Sequence, residues 1–191
     1  MDTDKKYAWS PLPTREDMLK SLETEHFDVL VIGGGATGTG VALDATSRAL
    51  KTAMVEKYDF SCGTSSRSTK LIHGVVRYLQ KAVFNLDLEQ VYGSFWQHDD
   101  ARMNIAIAIS TARMGGSVAN YMEVLELHKS KDENGKEVVS GARVKDRITD
   151  REFNIKAKCV INATGPYTDH IRLMGNKEDK KKLYLLPDYY R

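Results

Sequence analysis

The stretch FDVLVIGGGATGTGVALDA, Phe27 to Ala45, constrains the fold of this chain more than any other part of it. Phe27 to Ile32 is a short apolar run broken only by Asp28, the pattern of a strand covered on both faces of a parallel sheet. It runs directly into Gly33, Gly34 and Gly35, with Gly38 three positions on. Gly33, Gly35 and Gly38 occupy the G-x-G-x-x-G positions. In that pattern one glycine makes the tight turn, one lets a diphosphate touch the backbone, and one lets the following helix pack closely on the strand. Ala36 to Leu50 reads as that helix, with Val41, Ala42, Ala45 and Ala49 on its inner face, and Thr52 to Glu56 reads as a second strand. Glu56 lies 23 positions after Gly33, close to the ~20 at which an acid binds a ribose hydroxyl. Strand, glycine turn, helix, strand and terminal acid together predict a βαβ unit that binds a dinucleotide, with helix N–H groups and the positive end of the dipole facing the phosphates. The fingerprint by itself serves nicotinamide and flavin cofactors alike.

Around this unit the pattern is of class α/β. Pro11 and Pro13 hold an extended arm, after which Thr14 caps a short helix, Arg15 to Leu22, lying against the outside of the domain. Apolar residues recur at helical intervals over Leu71 to Leu88. Asp99 and Asp100 cap a helix from Ala101 to Met114, closed by Gly115 and Gly116. Ser117 to Leu127, Val138 to Val144 and Arg151 to Ala157 read as an antiparallel meander with a hairpin turn at Asn134 and Gly135. Cys159 to Ala163 reads as a further buried strand.

The totals exclude more than they assign. With 28 Lys and Arg against 26 Asp and Glu in 191 residues, the net charge of +2 gives no field suited to nucleic acid. No apolar run approaches the ~20 residues of a membrane-spanning helix, so the chain reads as soluble or at most as sitting at a membrane surface. The acids Asp2, Asp4, Glu16 and Asp17 in its opening are unlike a mitochondrial transit peptide. Cys62 and Cys159 lack metal-ligand spacing and read as buried free thiols in a reducing compartment. His26, His98, His128 and His170 show no metal spacing either.

At GTSSRSTKLIHGVVRYLQ, Gly63 to Gln80, the sequence resembles the FAD-dependent glycerol-3-phosphate dehydrogenases, particularly the mitochondrial type. The agreement continues through HDDARMNIAIA, ANYMEV and KAKCVINATGPYTD, and covers most of residues 13 to 175. The resemblance implies a Rossmann-like FAD-binding domain over residues 27–175, following an N-terminal extension at 1–26. It implies FAD as cofactor, with Gly33, Gly34, Gly35, Gly38 and Glu56 at its ADP half. Thr64, Ser65, Ser68, Lys70 and His73 fall in the loop beside the flavin, and Gly165 closes near the diphosphate. Arg77 matches an active-site arginine suited to holding a phosphate by a two-pronged charged contact. Arg77 and His73 are the catalytic candidates. The implied reaction oxidises sn-glycerol 3-phosphate to dihydroxyacetone phosphate and passes electrons to a quinone, at the mitochondrial inner membrane. An NAD-dependent enzyme ranks last, because the serine-rich loop and NATG suit the flavin family.

The chain departs from the family in ways that bear on activity. Val75 stands where the family has a second glycine, and Ala49 stands where a glycine ends the first helix. After LDLEQ, ending at Gln90, the sequence passes through only VYGSFW to QHDDARMN and omits a family segment, and it ends at Arg191 soon after NATGPYTDH. The substrate domain is therefore expected to be incomplete, with residues 176–191 the start of a further segment. Either the chain serves the dehydrogenase reaction, with little or no turnover alone, or it is a non-catalytic FAD-binding or remnant fragment.

Overall fold

Thr14 begins the first helix as the sequence requires. Its hydroxyl accepts from the Asp17 N–H at 3.1 Å while the Asp17 carboxylate accepts from the Thr14 N–H, a capping box. In a computed structural model of the chain, which describes residues 11–67 and 99–175, this helix is α1, Arg15–Thr24. It leads into β1, His26–Ile32, then α2, Ala36–Ser47, and β2, Thr52–Val55. A turn of 3₁₀ helix covers Thr64–Ser66. Then come α3, Asp100–Arg113, and the strands β3, Ser117–Ala119, β4, Met122–Lys131, β5, Glu137–Asp146, and β6, Glu152–Asn162. A second 3₁₀ turn, Gly165–Tyr167, feeds α4, Thr168–Gly175. The readings made for residues 1–10, 68–98 and 176–191 lie outside the described residues. Among the described residues no helix is long and apolar enough to cross a membrane.

All six strands form one sheet in the order β3-β2-β1-β6-β5-β4. Pairings among β3, β2, β1 and β6 are parallel; β6 with β5 and β5 with β4 are antiparallel. β1 is apolar and buried from Val29 to Ile32 because both its faces are covered there. Leu30 and Ile32 join Phe27, Met122, Val144, Ile155 and the α1 residue Leu22 on one side. Val29 and Val31 join Ala42 and Ala45 of α2 and Ala108 and Ala112 of α3 on the other.

Two expectations for the strands need correction. Ser117 to Leu127 is not one strand of a meander. It divides at Asn120 and Tyr121, where Tyr121 has φ 55, and its first part pairs in parallel with β2 while its second pairs with β5. The break is set by tertiary bonds: the Tyr121 and Met122 N–H groups donate to the carbonyls of Tyr58 at 2.9 Å and Glu56 at 2.7 Å. Conversely, the two segments Arg151 to Ala157 and Cys159 to Ala163 are one continuous strand. β6 pairs with β5 through its first half and with β1 along most of its length, so the parallel and antiparallel regions are a single mixed sheet. Cys159 on this strand is exposed and Cys62 is half-buried, so neither is the buried thiol expected. At the end of α2, Ala49 adopts φ 61, the left-handed conformation that the glycine at this position in the family would take freely.

One buried charge ties the N-terminal helix to the sheet. The Asp146 carboxylate, 1% exposed, accepts from Arg15 Nη2 at 2.8 Å, the Ile148 N–H at 3.1 Å and the Thr149 hydroxyl at 2.8 Å. Burial pushes this carboxyl up, but those three donors together outweigh it and hold it below the usual carboxylate range. The folded state therefore binds fewer protons here than the unfolded chain. This contribution is complete above the unfolded value near 4 and is lost as pH falls through the lower folded value. Asp146→Ala should cost about 2–4 kcal/mol in urea unfolding at pH 7, and the loss should shrink as pH is lowered below about 4. A cost that does not change with pH over that range would count against the assignment.

Candidate functional site

The carboxyl ends of β1, β2 and β6 point the same way, and three turns leave from them side by side. After β1 comes Gly33 to Gly35, after β2 comes Glu56, and after β6 come Ala163 to Gly165. In open α/β sheets ligands bind in the crevice outside such ends, where neighbouring strands send their chains apart. Here the crevice is a cleft of about 330 Å³.

Gly33 has φ +113, and a Cβ there would lie 2.5 Å from the Ala163 carbonyl oxygen, so conformation and space both require glycine. Its N–H donates to the Val55 carbonyl at 2.8 Å, tying the turn to β2. Gly38, on the first turns of α2, would put a Cβ 1.8 Å from the Gly33 oxygen. Only a glycine lets the helix start this close to the strand end. Gly33, Gly35, Glu56, Thr64, Ser65 and Gly165 line the cleft, whereas Gly34 and Gly38 support the turn from behind.

The turn is held by side chains from three directions. The Glu56 carboxylate accepts from the Gly34 N–H at 2.7 Å and from the Tyr58 N–H at 2.9 Å. Ser65 Oγ accepts from the Ala36 N–H at 3.0 Å and so meets one of the free donors at the start of α2. From α3, Asn104 Nδ2 donates to the Gly34 carbonyl at 2.8 Å. Asn104 Oδ1 accepts from the Thr39 hydroxyl in a short contact. Of the residues singled out in the sequence, Gly33, Gly34, Gly35, Gly38, Glu56, Thr64, Ser65 and Gly165 therefore gather at one place. Ser68, Lys70, His73 and Arg77 lie outside the described residues, as does Val75.

Sequence reasoning missed Asn104 and Thr39. The signal was available for Asn104, since it falls in phase with Ala108, Thr111 and Ala112, the buried face of α3. Ser61 was also missed. It takes φ +68, is 2% exposed, lines the cleft, and its hydroxyl finds no hydrogen-bond partner among the described residues. Cys62 lies beside it. Burial, followed by the charges of Glu56 and Asp59, pushes its thiol up, so it is not an activated nucleophile. At the rim, Arg147 lies 4.8 Å over the Tyr58 ring, and Lys57 bonds Glu123 at 2.9 Å. His170 also lines the cleft, while His128 Nε2 shares a 2.9 Å bond with Asn154 Oδ1. Asn162 spends its amide on the Thr164 hydroxyl and the Thr168 carbonyl, which is its structural use at the end of β6.

A glycine turn at the carboxyl end of β1, an acid at the end of β2 and a crevice between them define a dinucleotide-binding fold of the Rossmann type. The family model for FAD dependent oxidoreductases matches residues 28–93, so the dinucleotide of this family is the flavin one. More particularly, the chain is similar to the mitochondrial glycerol-3-phosphate dehydrogenases. It is 44% identical to the Rattus norvegicus enzyme over 250 residues, covering 87% of this chain and 34% of the relative. To a probable glycerol-3-phosphate dehydrogenase of Caenorhabditis elegans it is 41% identical, covering 97% of this chain and 38% of that one. Among solved structures, glycerol-3-phosphate dehydrogenase from Bacillus halodurans complexed with FAD superposes with a TM-score of 0.66 at 31% identity, over 85% of this chain and 39% of that one. The chain thus spans about a third of the length of the curated relatives it matches.

The contact between Gly38 and Gly33 yields a paired prediction. Gly38→Ala should lower stability by at least about 2 kcal/mol, because the methyl must force α2 off the strand end. Gly40→Ala, two residues along the same helix with open space around it, should be neutral or stabilise by up to about 1 kcal/mol. Urea unfolding midpoints of the two variants compare them directly, and equal effects would contradict the packing account.

Proposed function

We propose that this chain binds FAD in the cleft and serves the oxidation of sn-glycerol 3-phosphate to dihydroxyacetone phosphate. The observation that carries the reading is the turn Gly33 to Gly35 where three parallel strand ends converge, packed so closely that a Cβ at Gly33 would lie 2.5 Å from the Ala163 oxygen and one at Gly34 2.7 Å from the Phe60 ring. The residues present fit the group. The free N–H groups at the start of α2 suit a diphosphate. The Glu56 carboxylate has about four lone-pair positions and uses two on backbone donors, so it retains acceptors for ribose hydroxyls. The buried hydroxyl of Ser61, without a partner among the described residues, is a further group that a bound ligand would satisfy.

When bound, FAD supplies the two-electron acceptor for the hydride leaving C2 of the substrate. The chain's own part is to hold the ADP half rigidly on the β1–α2 turn and, through the Thr64–Ser66 turn, to set where the flavin half begins. Arg77 for the substrate phosphate and His73 beside the ring system are the proposed substrate-side groups, with Ser68 and Lys70 on the flavin side. Quinone as final acceptor, association with a membrane surface and residence at the mitochondrial inner membrane extend the same reading, supported by the mitochondrial names of the relatives. The proposed division of the chain remains an FAD-binding domain over residues 27–175 with a family segment omitted near 90–97.

A second reading, a binding module with little or no turnover, is favoured by one observation. The aligned span of 250 positions exceeds the 191 residues of this chain, so part of the relative's sequence within that span has no counterpart here. Hydride transfer needs reactants held in a near-attack arrangement with water excluded.

The purified chain should take up FAD and show flavin absorption bands. Its turnover with glycerol 3-phosphate and a quinone analogue should be at least ~100-fold below that of a full-length relative. Absence of flavin uptake by folded protein would overturn the binding reading, and turnover equal to the relative's would overturn the second.

A further inference from the structure

Asn104 is 2% exposed, and both ends of its amide are committed to the glycine turn and the helix behind it. Its Nδ2 donates to the Gly34 carbonyl at 2.8 Å, and the Ser61 N–H donates to the same oxygen at 3.1 Å. On the other side of the residue, the Gly34 N–H donates to Glu56 at 2.7 Å. The Gly34–Gly35 peptide is planar and trans, with its carbonyl and its N–H on opposite sides. Anchoring the carbonyl toward α3 therefore turns the Gly35 N–H the other way, toward the cleft that Gly35 lines. Glycine has no side chain to restrict such a peptide, so without an anchor this plane is free to rotate and present the carbonyl instead. A carbonyl oxygen facing a diphosphate is repulsive where an N–H is attractive.

We infer that Asn104 is a positioning residue for the cofactor's diphosphate, acting through the Gly34 carbonyl to keep the Gly35 N–H aimed into the cleft. The Thr39 hydroxyl fixes which end of the amide faces Gly34, because it donates to Oδ1 and leaves Nδ2 for the carbonyl. Thr39 is itself anchored, with further contacts from its hydroxyl to the Gly35 and Ala36 carbonyls at 3.1 and 3.3 Å. The inference rests on the FAD reading above and adds a residue from α3 that none of the glycine-fingerprint positions includes.

The test uses the full chain as wild type, Asn104→Asp, Thr39→Val and Ala112→Gly. The last removes a buried contact of α3 on α2 without touching the turn. FAD affinity is read from quenching of flavin fluorescence, intrinsic stability from the melting temperature without cofactor, and diphosphate surroundings from the ³¹P spectrum of bound FAD. Asn104→Asp replaces the donor with an acceptor facing the Gly34 oxygen and should weaken FAD binding by roughly ten-fold or more, with displaced ³¹P resonances. Thr39→Val should weaken binding by about three-fold in the same direction and decides the matter if Asn104→Asp does not fold. Ala112→Gly should lower the melting temperature yet hold affinity within about two-fold of wild type, with unmoved resonances. Wild-type affinity and resonances in the folded Asn104 and Thr39 variants would overturn the inference while leaving the FAD reading intact. A folded wild type that takes up no FAD would remove both.

Discussion

The approach of α2 to the end of β1 is the contact on which the remainder of the structure depends. A helix that begins within van der Waals reach of the Gly33 carbonyl cannot carry a side chain at its contact point, and Gly38 supplies none. That closeness brings the helix's first N–H groups over the carboxyl end of the sheet. It also allows Val29 and Val31 to pack against Ala42 and Ala45, small residues that match the short separation. The covering of β1 on both faces, and hence its apolar run from Val29 to Ile32, follows from the same geometry.

Around this contact the hydrogen bonds converge on one residue. Gly34 gives its N–H to Glu56 from β2 and receives donors from Asn104 of α3 and from Ser61 in the loop after β2. Groups at the end of β2 and in the loop after it, together with one from the distant α3, thus fix a turn that glycine alone would leave loose. The strain accepted at Ser61, a non-glycine residue at φ +68, costs of order 1–2 kcal/mol and is offset by the burial and bonding of that loop. Preorganisation of this kind favours ligand binding because the ordering cost is met on folding rather than on association.

Much of this was legible in the sequence, for identifiable reasons. The β1–α2–β2 unit was readable because its period, its glycines and Glu56 all lie within about thirty residues of one another. The caps at Thr14 and Asp99 were readable because a cap is a local bond, and both formed as the residue types require. What escaped was non-local. The division of Ser117 to Leu127 depends on bonds from Tyr121 and Met122 back to Tyr58 and Glu56. The partnership of Arg15 with Asp146 spans 131 positions. The exposure of Cys159 depends on which face of β6 stays uncovered. Asn104 resembled an ordinary polar residue in an amphipathic helix, although its phase with Ala108 and Ala112 placed it on the buried face. The resemblance to the dehydrogenases was legible from long ordered motifs, and the relatives found at 41–44% identity bear it out.

The central claim is that the backbone between β1 and α2 holds the two linked phosphates of FAD. Competition against bound FAD by ADP and, separately, by adenosine tests it most directly, because the two differ only in the diphosphate. The account requires ADP to displace FAD at concentrations where adenosine is at least ~10-fold less effective, in keeping with charge-assisted bonds from the helix start. Equal displacement by the two, or FAD binding indifferent to ADP, would contradict it.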